Sequence, residues 1–456
     1  MLTLESKLEN NLIERAKLFA KKAGRKVRVI VTDDLKNKLY QLVAEEVIDF
    51  AELLSIDTSS SKIDLAEYKG YKDDPLGSPN RKTKIDKVDQ TLSMMYSSFG
   101  ISEKDTLPFI SASLKLKNNE ADALLGGMDV PSEALIVGCS LVLNYKTPSA
   151  IFFTQSRSLD LMPISKRYPD NIFELSLPDG RDIIVAYPSD NYSLEGIVEA
   201  AEKASNFVND PVLAFISFST AGAANHNHPE LMKKASDMYI QSGGRGVCFG
   251  EIQLDASLDR DIMLKKLGGF DPFNGMTANC LIYSDATSAH SLIDYFEWAY
   301  NDYDGRSGAV IAISDMAIRP KPAPIQLTHI VSDSISTYRL VTGIDPVVAF
   351  IGHDRTSIDK IENTIDKLPE QIKHYLYSRD AMLLKDALFS EANLFIYSEL
   401  AHGNPAYKAW QLFNPGFFVT QGFEKPVCDL SRGDDNSPDS IVATIAYLCI
   451  QSFNYA

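Results

Sequence analysis

Asp210-Pro-Val-Leu-Ala-Phe-Ile216 is followed 135 residues on by Asp345-Pro-Val-Val-Ala-Phe-Ile351. A second pair keeps the order: Ala278-Asn-Cys-Leu-Ile-Tyr-Ser284 and, 114 residues on, Ala392-Asn-Leu-Phe-Ile-Tyr-Ser398. All four are short apolar runs rich in β-branched and aromatic residues, which read as buried strands. Each Asp-Pro-Val strand follows a helical pattern (EGIVEAAEKASNFV, IQLTHIVSDSISTYRLV). Each of those helices follows a further strand (DIIVAYP, GAVIAISD). Two matches within the same succession of elements mark an internal repeat, with one copy at 183–300 and a second at 307–413. Helices alternating with short apolar strands predict an α/β fold of mainly parallel sheets sandwiched by helices.

Outward from the repeat, the linker AYNDYDGRSG (299–308) is short and polar. The chain opens on an amphipathic helix, then a strand RKVRVIVTDD (25–34) and a helix over KNKLYQLVAEEVIDFAELL (36–54). Residues 56–92 are polar and carry the loop DDPLGSPNRK, so they read as surface. A helix, a buried strand ADALLGG (121–127) and a helix entered at Pro131 follow.

The length of 456 residues predicts about three structural units, or two large ones. Their 45% hydrophobic and 23% charged residues are the balance of a globular protein. A net charge of −16 excludes a general nucleic-acid binder, which needs a basic face, and an anionic-membrane binder. The longest apolar run, ALIVGCSLVL (134–143), is half the roughly 20 residues of a membrane span. The first residues carry charges throughout and do not read as a targeting signal. Five cysteines without a CxxC pair read as free thiols in a reducing cytoplasm. No metal site is expected. His226 and His228 are two apart near Glu230, without a third ligand cluster in the sequence, and read as loop residues at a helix start.

Three stretches carry candidate chemistry. Ser219-Thr220-Ala221-Gly222-Ala223-Ala224 joins a strand to a helix, where small residues admit a ligand and free N–H groups face an anion; it also reads as an ordinary βα turn. KPVCDLSRG (425–433) sets Asp429, Ser431 and Arg432 beside Gly433. An arginine grips an oxyanion bidentately while the serine donates to developing charge; the same residues also suit a capped turn with a surface ion pair. GNPAYK (403–408) reads as a Gly-Asn turn opening a helix.

ISFSTAGAA, GEIQLDAS (250–257), ANLFIYSELAHGNPAYKAWQLF, GFEKPVCDLSRG and SIVATIAYLCIQS together resemble the phosphate acetyltransferase and phosphate butyryltransferase family. Lys-Pro-Val-x-Asp-Leu-Ser-Arg-Gly is the specific part. The resemblance spans about 100–456 and implies two α/β domains around a cleft. Domain I would be 1–165 plus 415–456, and the inserted domain would be present twice. It implies direct transfer of an acetyl or butyryl group between CoA and inorganic phosphate in a ternary complex. CoA is a substrate, with no permanently bound cofactor. Ser431, Arg432 and Asp439 would be catalytic. Ser219, Thr220, Gly222, Gln253, Asp255, Gly403, Asn404, Lys408 and Asp429 would bind substrate or CoA. Acyl phosphate and phosphate would be the other partners, with no nucleic acid or membrane.

Three departures stand out. VPSEALIVGCSLVL lacks the family's Arg-Pro pair. The stretch after Ser-Arg-Gly is about two residues longer, so Ser440 falls on the carboxylate position with Asp439 adjacent. The motifs are split between the copies, since the first keeps SFSTAGAA and GEIQLDAS and the second keeps HGNPAYK. An alternative is therefore a catalytically degenerate member that binds CoA esters or a protein; a hydrolase using Ser431 is a third. The family's homodimer contact would be met inside one chain, as a pseudo-dimer in a monomer.

Overall fold

The computed structural model describes residues 6–32, 40–55, 103–127, 132–156, 166–190, 192–300, 308–315, 317–412, 414, 416–430 and 437–455. The expected loop at 56–92 and the linker beyond Tyr300 lie outside them. The chain divides into two compact units. One comprises 1–153, 325–346 and 415–456, the other 154–324 and 347–414. Helix Pro324–Thr342, read from sequence as part of the second copy, thus lies almost wholly in the first unit.

The first unit holds a four-stranded parallel sheet in the order Val427–Asp429, Ala123–Gly126, Val27–Val31, Ala51–Ser55. Val27, Val29, Ile30 and Val31 are all fully buried, which is why the central strand is an unbroken β-branched run. The terminal helices Ser6–Ala23 and Pro438–Tyr455 pack together, with Phe19 stacked on Phe453 at 6.1 Å. The helix expected over 36–54 stops at Val47. The chain turns through Asp49 and Phe50, and Ala51–Ser55 becomes the edge strand beside Val27–Val31. Pairing of Val29 with Leu53 and burial of Phe50 override the helical pattern.

The second unit holds a six-stranded sheet, ordered Lys166–Tyr168, Ile172–Ser176, Asp182–Ala186, Cys280–Ile282, Val212–Ile216, Val247–Ile252. The first two pairings are antiparallel and the rest parallel. It also holds a parallel trio in which Leu394–Tyr397 lies between Val310–Ser314 and Val348–Ile351. The trio repeats the arrangement of Asp182–Ala186, Cys280–Ile282 and Val212–Ile216, with the last strand in the middle. The match extends to single atoms. Asn279 Oδ1 accepts from Val212 N at 2.8 Å, and Asn393 Oδ1 accepts from Val347 N at 2.8 Å.

Helices Ala286–Tyr300 and Leu400–Gln411 follow the two middle strands and pack on each other. Buried Trp410 lies 4.6 Å from Tyr295 and 5.3 Å from Trp298, ring centroid to centroid. Residues 183–300 and 307–413 therefore share one apolar interface. Among the described residues no helix is long and apolar enough to cross a membrane.

Candidate active site

The loop after Val212–Ile216 closes around a carboxylate of the chain itself. Ser219 Oγ donates to Glu251 Oε1 at 2.7 Å and Gly222 N donates to the same oxygen at 3.0 Å. Ala221 N donates to the Glu251 carbonyl, and Ser219 Oγ accepts from Ala224 N. Gly222 has φ +82°, which its missing side chain permits and which turns its N–H inward. The anion-type site expected at Ser219 and Gly222 is thus filled from within, while Ala221, Gly222 and Ala223 face solvent. Thr220 Oγ1 accepts from Gln253 N at 3.1 Å, tying this loop to GEIQLDAS.

Asp255 is the charged centre. It is buried, and two lysines converge on Oδ2: Lys266 at 2.7 Å and Lys408 at 2.8 Å. Burial alone raises the Asp255 pKa, but the two ammonium groups outweigh it and hold the carboxyl well below its usual range. Lys266 also donates to Gln253 Oε1 at 2.9 Å. Lys408 belongs to HGNPAYK, so the pair joins a motif of the first copy to one of the second. Gly403 and Asn404 are buried in the same helix. The expected Gly-Asn turn is instead helical, because the helix starts at Leu400 and Gly403 N already donates to Glu399 O. Pro405 has no N–H for the carbonyl of Ala401 four residues earlier, and Ser288 Oγ donates to it at 3.1 Å.

A buried polar chain runs beside this pair. Ser217 Oγ lies 3.3 Å from His228 Nδ1, His228 Nε2 lies 2.9 Å from Ser284 Oγ, and Ser284 donates to Asp285 Oδ2 at 2.6 Å. Asp285 Oδ1 lies 3.4 Å from His402 Nε2, which also meets Tyr192 OH at 2.7 Å. Burial drives the His228 pKa down to about 4, so the ring is neutral at pH 7. His226 caps helix Asn227–Gln241, its Nδ1 accepting from His228 N, as its place at a helix start suggested. Sequence reading passed over Lys266 and took His228, here buried and helical, for a loop residue. The available signal was position: Ser217, Ser284, Asp285, Asp354, Ser398 and Glu399 all fall within three residues of a strand's end, at the carboxyl ends where α/β folds place their sites.

In the first unit Asp429 ends its strand, and its N–H donates to Thr420 Oγ1 at 3.1 Å. Its carboxylate abuts Gly127, where an added Cβ would come within 1.8 Å of Oδ1. Asp439 is exposed in the first turn of Pro438–Tyr455. Ser431 and Arg432 lie outside the described residues.

Residues 106–290 match the family model for phosphate acetyl/butaryl transferase. That segment of the chain, less than half of its 456 residues, is similar to the family. The matched segment includes Ser219, Thr220, Gly222, Gln253 and Asp255 and ends before Lys408 and Asp429. A phosphate acetyltransferase of Haemophilus influenzae is 31% identical over 166 residues, 31% of this chain and 23% of that one. One from Clostridium acetobutylicum is 25% identical over 181 residues, 35% of this chain and 54% of the other. The chain thus spans about a quarter to a half of the length of these curated relatives. A phosphotransacetylase structure from Streptococcus pyogenes aligns over 98% of both chains at 15% identity, with a TM-score of 0.33.

Proposed function

We propose that this chain transfers a short acyl group between CoA and inorganic phosphate. The supporting observation is the buried Asp255–Lys408 contact, which brings together two family motifs that the sequence carries on different copies. In the proposed reaction a carboxylate, Asp439, takes the CoA thiol proton. The thiolate attacks the acyl-phosphate carbonyl, the carbon–oxygen bond to phosphate breaks, and acyl-CoA and phosphate leave. Arg432 holds the phosphate in a bidentate grip and Ser431 donates to the developing charge. Thr220, Gly222, Gln253, Gly403 and Asn404 are proposed to bind substrate or CoA, as is Asp429 in the other unit, with Ser219 and Glu251 fixing the loop and Asp255 and Lys408 fixing the two motifs. The chain acts as a monomer whose two copies supply each other's contact.

Glu251 in the place of an external anion favours a second reading, a degenerate member that binds CoA esters without turning them over. Variants separate the two. Ser431→Ala should lower kcat by about 10- to 1000-fold, the scale of one lost transition-state donor. Arg432→Lys should raise the phosphate KM, because a point charge cannot reproduce the fork. Acetyl-CoA binding by calorimetry, without turnover in the parent chain, would select the binding-only reading.

A further inference from the structure

The two copies are unequal where their helices meet. Counting from the matched Ser284 and Ser398, His290 falls opposite Asn404 and Asp294 opposite Lys408. Counting from Val212 and Val347, His353 falls opposite Phe218. The short helices Leu254–Leu258 and Leu384–Leu388 set Lys385 opposite Asp255. The charges are therefore exchanged between the halves. Asp255 with Lys408 on one side becomes Lys385 with Asp294 on the other, where Asp294 Oδ2 accepts from the Lys385 backbone N–H at 3.0 Å and the Lys385 ammonium pairs instead with Glu297. This second side also carries two histidines, His290 from the first copy and His353 from the second. The His290 and His353 rings stack with centroids 3.9 Å apart. Asp294, buried beside both rings, places Oδ1 2.8 Å from His290 Nδ1 and Oδ2 3.9 Å from His353 Nε2.

We propose that His290, Asp294 and His353 bind one divalent cation of the zinc class. The donor atoms lie within 4.8 Å of one another. A tetrahedral zinc with bonds of about 2.0–2.1 Å needs its donors about 3.4 Å apart; here one oxygen of Asp294 stands 2.8 Å from the His290 nitrogen and the other 3.9 Å from the His353 nitrogen. Two imidazoles and one carboxylate suit zinc, cobalt or nickel and not magnesium or calcium, which take oxygen alone. Tyr187 OH lies 3.1 Å from His290 Nε2, so the ring's outer nitrogen is held while Nδ1 faces Asp294, as an outer hydrogen bond holds a metal-bound imidazole. Both rings retain some exposure, at 13% and 19%, which gives an ion a way in and leaves a fourth position for water.

The test is zinc chloride titrated into the untagged, chelator-stripped full chain against a chromophoric zinc chelator. One equivalent should bind with micromolar or tighter Kd. His353→Gln and Asp294→Asn should each weaken it by more than about tenfold, and His226→Gln should not. Because Asp294→Asn removes a buried group and risks misfolding, cobalt chloride added to the parent chain gives a second readout, the intense visible bands of a four-coordinate ion. Zinc binding weaker than about 100 µM, affinity unchanged in His353→Gln, or loss of the site in His226→Gln would each overturn the proposal, as would a cobalt spectrum of the hexa-aquo ion alone.

Discussion

Asp255 carries opposed consequences for its two lysines. Removing the carboxylate in Asp255→Asn leaves both ammonium groups buried without their counter-charge, a loss of about 3–5 kcal/mol. Lys408→Met leaves Lys266 at 2.7 Å from Asp255 and should cost less. Urea midpoints of the two variants measure this ranking, and the reverse order would show that Lys408 is the uncompensated member. His228 makes a pH prediction. Its folded pKa is depressed to about 4 against about 6.5 in an unfolded chain. The unfolded state therefore binds the proton first, and stability falls as pH drops from about 6.5 toward 4. At pH 5 the loss from this group alone is about 2 kcal/mol. The Tm should fall from pH 7 to pH 5, and His228→Asn should flatten that slope. The sequence pointed to Asp255 and Lys408 separately, through their motifs. It did not show Lys266, because a lysine in a polar helix has the same local signature whether it faces solvent or a buried carboxylate.

Elements close the gaps that residues open. Pro405 frees the carbonyl of Ala401, and Ser288 from the opposite helix donates to it. Ser288→Ala should cost about 1–3 kcal/mol, the desolvation of an unmet buried acceptor, and an unchanged unfolding midpoint would mean that water takes the place of the hydroxyl. Gly127 has φ +95° and sits against Asp429. Gly127→Ala would bring both strain and collision, so it should lower stability and, if Asp429 serves the substrate, acyl transfer as well. The repeated strands were legible because buried parallel strands are continuous apolar runs. The helix over 36–54 was overextended because Ala-Glu-Leu-Leu suits a helix equally well, and only pairing with Val27–Val31 decides its fate. The Gly-Asn pair at 403–404 reads as a turn on local propensity, yet packing against Ala286–Tyr300 keeps it helical.

At the scale of the whole chain, two matching trios of strands and two middle-strand helices packed on each other support a duplication whose copies serve as each other's partner. Light scattering at micromolar concentration should then return a mass near 50.5 kDa, and a stable mass of twice that would contradict the internal pairing. The central claim is acyl transfer, and its direct measurement is the disappearance of the CoA thiol on mixing the chain with acetyl phosphate, repeated with butyryl phosphate. The proposed reaction predicts catalytic thiol loss with at least one of them, matched mole for mole by released phosphate. No thiol loss with either substrate, in a folded chain that still binds CoA, would contradict it.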